Sequence, residues 1–276
     1  MQSNSFVANL SKGVQRRIST ALNRDHKKAG LNWFKIKLLK HYSKGQLRHH
    51  ELRGKKLVYN SPQDFLHGLK EIFIEEVYNI DLPPHAYVLD CGANIGLSVI
   101  YIKEKFPDAN IIAFEPDENN YALLQQNVQA FGLRNVQLEE KAVWVATTEL
   151  LFESEGNMGS RIGTGESGGK KTKAVRLKDY INKPVHFLKI DIEGAEYEVI
   201  KDIADQLHMV NQMFVEYHGK FSQNNELLEM LQLISKAGFS FYIKEAASVY
   251  DHPFKFRAMQ PQRQYDVQLN IFCVRE

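Results

Sequence analysis

From Tyr87 to the C-terminus, short apolar runs alternate with longer amphipathic stretches, and this alternation restricts the possible folds more than any other feature of the chain. Runs at 87–90, 111–115, 136–143, 186–191 and 212–216 read as strands, with helical patterns at 96–105, 118–131, 195–203 and 226–237. Pro107 ends the first helix, Asp117 caps the second and Gly132 stops it, and Gly238 stops the last. The early runs are nearly all apolar, as in a sheet covered on both faces. Two further strands, 239–244 and 267–274, alternate more and have no helix between them, which predicts an antiparallel C-terminal pair at one edge. The fold class is therefore α/β: a doubly wound, seven-stranded, mostly parallel sheet.

The preceding residues differ in character. Leu31, Phe34, Leu38 and Tyr42 recur at helical spacing, 56–59 reads as extended, and Ser61-Pro62 opens a helix through Phe65, Leu69, Phe73 and Val77. We read 1–50 as a basic, partly helical extension and 51–276 as the α/β domain. Residues 1–56 hold 14 Lys/Arg against Asp25 and Glu51, whereas the remainder has 21 against 31 acids. Such a basic arm can meet a membrane surface, a nucleic acid or a charged glycan, or it can be a solvated helix. Cys91 and Cys273 are isolated in apolar runs, which points to a reducing compartment rather than a disulfide framework. No run approaches the ~18–20 apolar residues of a membrane span, and no secretory leader is visible. The expectation is a cytoplasmic protein, with peripheral contact at the inner membrane surface left open. Six glycines between 153 and 173 suggest a substrate-covering loop or a plain linker, and their spacing does not fit a P-loop.

The run Val88-Leu89-Asp90-Cys91-Gly92-Ala93-Asn94-Ile95-Gly96 passes from strand through a glycine turn into a helix, where α/β sheets bind ligands. A dinucleotide fingerprint needs two glycines three apart, but Gly92 and Gly96 are four apart. Asp90 would also repel a pyrophosphate, whereas it suits the ammonium and sulfonium of S-adenosylmethionine. Glu115, followed by Pro116, closes the second strand about 20 residues after the turn, the place of a ribose-binding acid. The fourth strand ends in Asp191 and Glu193, two acids able to orient the cofactor's amine, take a proton or bind a metal. The fifth brings Glu216 and His218, and a histidine there suits a general base or a hydrogen-bonded structural residue.

Four segments together, Asp-Cys-Gly-Ala-Asn-Ile-Gly (90–96), Ala-Phe-Glu-Pro-Asp (113–117), Lys-Ile-Asp-Ile-Glu-Gly-Ala-Glu (189–196) and Glu-Tyr-His (216–218), resemble the FkbM family of methyltransferases. The likeness runs from about Glu51 to the C-terminus and includes 265–270. It implies a Rossmann-like fold and S-adenosylmethionine-dependent O-methylation of a hydroxyl on a sugar, glycan or secondary metabolite. By position, Asp90, Gly92, Ala93, Asn94, Gly96, Glu115, Pro116 and Asp191 would hold the cofactor, with Ala142 near the adenine. His218, or Asp191 and Glu193, would remove the acceptor's proton. A variant in which Asp191, Glu216 and His218 hold a cation ranks below the metal-free form, because no dedicated ligand motif demands it. Two alternatives stand beside this reading. One is a nucleic-acid methyltransferase using the basic N-terminus. Against it, the fourth strand ends Asp-Ile-Glu-Gly rather than in an Asn/Asp-Pro-Pro-aromatic turn, and the acidic body is a poor phosphate track. The other is a cofactor-binding scaffold docked on a membrane or partner.

Overall fold

A computed structural model describes residues 29–153, 161–162, 170–250, 252–258 and 264–275. Most of the expected glycine-rich loop, and the first part of the basic extension, lie outside the described residues. The described residues fall into two compact units. One comprises those up to Asp81 together with Ile95–Pro107 and Ala122–Leu133; the other comprises Leu82–Asn94, Asp108–Tyr121 and those from Arg134 on.

In the first unit, α1 (Trp33–His41) starts at Asn32, whose side chain accepts the Lys35 N–H at 2.8 Å. Strands β1 (Arg48–Leu52) and β2 (Lys55–Tyr59) form an antiparallel hairpin. Arg53 and Gly54 make its two-residue turn, both at positive φ, as a type I′ turn demands. β1 was not legible, because Arg-His-His-Glu-Leu carries too little apolar alternation. Helix α2 (Pro62–Phe73) has its proline in the first turn and buries Phe65, Leu66, Leu69, Ile72 and Phe73; it ends four residues before the expected Val77. Helices α3 (Leu97–Lys105) and α4 (Glu118–Ala130) follow along the chain. Asn127 of α4 is fully buried and links three segments. It accepts from Val58 N–H at 2.7 Å and donates to the carbonyls of Val58 at 3.0 Å and Ile95 at 2.8 Å.

The second unit holds the central sheet. Strands β3 (Tyr87–Cys91), β4 (Asn110–Phe114) and β5 (Val136–Glu139) run outward in one direction. β10 (Val185–Ile190), β11 (Val210–Gly219), β13 (Val267–Val274) and β12 (Ser240–Glu245) continue in the other. The pairs from β5 to β11 are parallel, and β13 is antiparallel to both β11 and β12. This is the expected seven-stranded sheet, and its order reverses between β3 and β10. The crevice at the carboxyl ends of such neighbours is where ligands bind. On one sheet face Leu89, Cys91, Leu188, Ile190, Met213 and Val215 pack with Val199 and Ile200 of α5 (Glu196–Asp202) and Met230 and Ile234 of α6 (Asn224–Lys236). Each such fully buried aliphatic side chain contributes about 1.5–3 kcal/mol.

One strand expectation is corrected. The run 136–143 is two strands, β5 in the central sheet and β6 (Ala142–Trp144) in a second one of four strands. The Lys141 N–H donates to the Glu139 carbonyl at 2.9 Å, so the chain turns there and leaves the first sheet. β6 then pairs in parallel with β9 (Lys170–Arg176), which contains most of the extended piece expected at 174–177. β7 (Thr148–Glu153) and β8 (Arg161–Ile162) complete this sheet. No helix of the described residues is long and apolar enough to cross a membrane.

Candidate active site

The sheet's carboxyl edge gathers the acids that the sequence singled out. Asp90 sits on β3 and is wholly buried, an arrangement that requires a compensating charge. Lys189 of β10, opposite Asp90 in the ladder, supplies it. Its ammonium lies 3.3 Å from Asp90 Oδ1 and 3.3 Å from Asp191 Oδ2, and donates to the Gly92 carbonyl at 2.7 Å. Lys189 thus joins the glycine turn to the end of β10. The sequence pattern alone does not give this lysine a role. The signal was present: a single lysine inside the apolar run 185–190 must find partners when buried.

Gly92 has φ +84, and a Cβ there would stand 1.8 Å from the Asp191 carbonyl oxygen. Only glycine allows the two strand ends to meet so closely. The Gly92 and Ala93 N–H groups donate to the Phe114 carbonyl at 3.0 and 2.8 Å, and Asn94 takes φ 48. Gly96, in the other unit, begins α3 at φ +90, where a Cβ would come within 2.7 Å of Leu124 Cδ1.

Glu115 follows β4 and is buried. Its Oε2 accepts the Asn94 N–H at 2.8 Å and its Oε1 the Asp117 N–H at 2.9 Å. A carboxylate has further lone pairs for ligand hydroxyls. Burial pushes its pKa from the ordinary 4.5 up to about 7, against the pull of those two N–H groups. A carboxyl raised on folding stabilises fully below its unfolded pKa, and that contribution is lost as pH rises through about 7. The loss is on the order of 3 kcal/mol. Glu115→Gln removes this titration, so its stability relative to wild type should climb by that order between about pH 5 and pH 8 in urea unfolding. A difference that stays flat with pH would show that Glu115 does not carry the shift. Pro116, after it, is half-buried. Ala142 is buried in β6, three residues beyond Glu139, whose carbonyl accepts the Glu115 N–H at 3.0 Å.

The second half of the site is built on Glu196, at the start of α5 and wholly buried. Its carboxylate accepts from Ile192 N–H at 3.1 Å, Gly194 N–H at 3.0 Å and, more loosely, His218 N–H at 3.4 Å. Its Oε1 also lies 3.3 Å from His218 Nδ1. One carboxylate thereby fixes both the turn after β10 and the imidazole from β11. The turn is sharp, with Glu193 at φ 57 and Gly194 at φ 102. The strand therefore does not end in Asp191 and Glu193 as expected: β10 stops at Ile190, and the turn after it brings the two acids together. His218 Nε2 faces Glu216 Oε1 at 3.6 Å and Glu193 Oε2 at 3.7 Å. Burial alone would lower the His218 pKa. Glu196 and Glu216 beside its two nitrogens, helped by Glu193, reverse this and hold it well above the usual imidazole range. Burial likewise lifts Glu193 to about 8, against the opposing pull of His218 and with support from Asp191, Glu196 and Glu216. Tyr265, just before β13, donates its hydroxyl to the Glu193 carbonyl at 2.6 Å and sets its ring 4.9 Å from that of His218. Glu196 and Tyr265 brace this cluster, and spacing alone does not distinguish them.

Among the described residues the edge is thus rich in carboxylates: Asp90, Glu115, Asp191, Glu193, Glu196 and Glu216 gather about Lys189 and His218. That donor set fits a cationic ligand carrying hydroxyl groups, and it disfavours a phosphate.

The methyltransferase FkbM domain matches residues 90–241. "Methyltransferase 1" of Beauveria bassiana is 27% identical over 198 residues, covering 60% of this chain and 79% of that protein. "Methyltransferase sdnD" of Sordaria araneosa is 31% identical over 176 residues, 50% of this chain and 68% of that protein. Among solved structures, methyltransferase FkbM from Methylobacillus flagellatus is 15% identical, with a TM-score of 0.45 over 76% of this chain and 54% of that chain. The strand-end turn and the acids around it accordingly lie within a matched domain that spans more than half the sequence, and the chain belongs to the FkbM family of S-adenosylmethionine-dependent methyltransferases.

Proposed function

We propose that the protein transfers the methyl group to a hydroxyl of a small molecule, a sugar, glycan or secondary metabolite. The observation that carries this reading is the cluster of Asp191, Glu193 and His218 on the same sheet edge as Asp90 and Glu115. S-Adenosylmethionine, when bound, supplies an electrophilic methyl on a sulfonium. Glu115 would accept the ribose hydroxyls through the lone pairs left by Asn94 and Asp117. Asp90 and Asp191, with Lys189 balancing their charge, would face the methionine end, and Gly92, Ala93, Asn94 and Pro116 would line the approach. Ala142 would lie on the adenine side.

A hydroxyl acceptor must lose its proton as the new C–O bond forms, while the S–CH3 bond breaks and leaves a neutral thioether. The cluster supplies that proton's destination. Most of the remaining acceleration comes from holding the oxygen in line with the methyl carbon, a placement effect.

The test is incubation with isotopically methyl-labelled donor and a panel of hydroxylated sugars and metabolites, followed by product analysis. The expected product carries one new O-methyl group. Glu193→Gln should lower turnover by about 10²–10⁴-fold while donor affinity holds. Methylation confined to nitrogen, carbon or nucleic acid would overturn the reading.

A further inference from the structure

The geometry points to a divalent-cation site formed by Asp191, Glu193 and His218. One donor atom from each of these three residues lies within 4.8 Å of the others, close enough for a single ion to touch all three. Two carboxylate oxygens and one imidazole nitrogen suit a hard or borderline divalent ion such as Mn²⁺ or Mg²⁺.

A group of acids alone would be weak ground, but His218 adds a separate observation. Its side chain is only 3% exposed, and Nε2 points into the cluster, ion-paired with Glu216 at 3.6 Å and Glu193 at 3.7 Å. Its other nitrogen is backed by Glu196 at 3.3 Å. A carboxylate behind the far nitrogen of a histidine is the arrangement that orients metal-binding imidazoles and makes them better ligands. Glu193 is held from its own side by Tyr265, which bonds the Glu193 carbonyl. Lys189 engages Asp191 through Oδ2 and so holds that carboxylate at the cluster. The three donors therefore come from the turn after β10 and the end of β11, both braced by the Glu196 carboxylate.

With a cation present, these residues act as ligands rather than as bases. Nε2 gives up any proton to solvent on coordination. The acceptor hydroxyl, polarised by the ion, releases its proton to Glu216, and its oxygen then takes the methyl group. This catalytic part rests on the proposed hydroxyl chemistry, whereas the binding part does not.

The experiment uses the full chain, stripped with chelator, dialysed and titrated with Mn²⁺ alone, followed by calorimetry and electron paramagnetic resonance. We expect one saturable site per chain, with coupling of the manganese electrons to an imidazole nitrogen. Asp191→Asn and His218→Gln should each weaken binding at least tenfold, and His218→Gln should abolish the nitrogen coupling. If a variant fails to fold, the nitrogen coupling in the wild-type protein decides. Absence of saturable binding below millimolar Mn²⁺, or binding without nitrogen coupling, overturns the site. Hydroxyl methylation that survives chelation would end the cation's catalytic role while leaving the proposed function intact. Tight Mn²⁺ binding with no hydroxyl acceptor would do the reverse.

Discussion

Gly92→Ala should cost more than about 4 kcal/mol of stability and abolish cofactor binding, placing it among the severe single substitutions. Two independent effects act together. The φ of +84 is strained for any residue with a side chain, and the new methyl carbon would lie 1.8 Å from a backbone oxygen of Asp191. A flexible side chain could move aside, but this carbonyl belongs to the end of β10, where the Asp191 N–H is already bonded to the Cys91 carbonyl at 3.1 Å. Relief would require separating β3 from β10 at the centre of the sheet. Denaturant unfolding and donor titration of the variant check this. A variant within about 1 kcal/mol of wild type, with donor affinity intact, would mean that the two strand ends do not meet as described.

The second large effect is expected at Lys189. Its ammonium is almost fully buried between Asp90 and Asp191. Removing one partner of a buried charge pair costs about 3–5 kcal/mol, because the remaining charge loses its compensation in a poor solvent. Lys189→Met should therefore destabilise by that order, far more than a surface lysine would. The double variant Lys189→Met, Asp90→Asn should recover a substantial part of the loss, since the amide leaves no uncompensated charge on β3. Unfolding free energies of the two single variants and the double variant form a closed cycle. Simple additivity of the two changes would rule out the proposed pairing.

Much of this architecture was legible in the sequence, because hydrophobic period and turn chemistry agree along most of the second unit. The strands around Leu89, Ile112, Leu188 and Val215 are apolar runs bounded by Gly92, Pro107, Gly132 and Gly194, and they appear in the sheet as expected. Reading failed where local pattern gave way to tertiary demand. At Glu140-Lys141 a run with the look of one strand, 136–143, concealed a change of sheet. At 48–52 a strand formed from residues that the hairpin partner and its Arg53-Gly54 turn, rather than their own hydrophobicity, hold extended. The acids of the site could be placed at one edge from strand ends alone. Glu196 could not, because its work is to receive N–H groups and an imidazole nitrogen from segments that only the fold brings together.

The seam at Gly92 and Asp191 has a mechanical consequence. The glycine turn after β3 and the turn after β10, which on the proposed function face the methyl donor and the acceptor, are stitched to each other by main-chain atoms. The span across which the methyl must travel is thus fixed by the scaffold. Side chains around His218 and Tyr265 can then be exchanged to admit a different acceptor without lengthening that span. On the proposed function, the choice of acceptor and the reach of the transfer would then be separable properties.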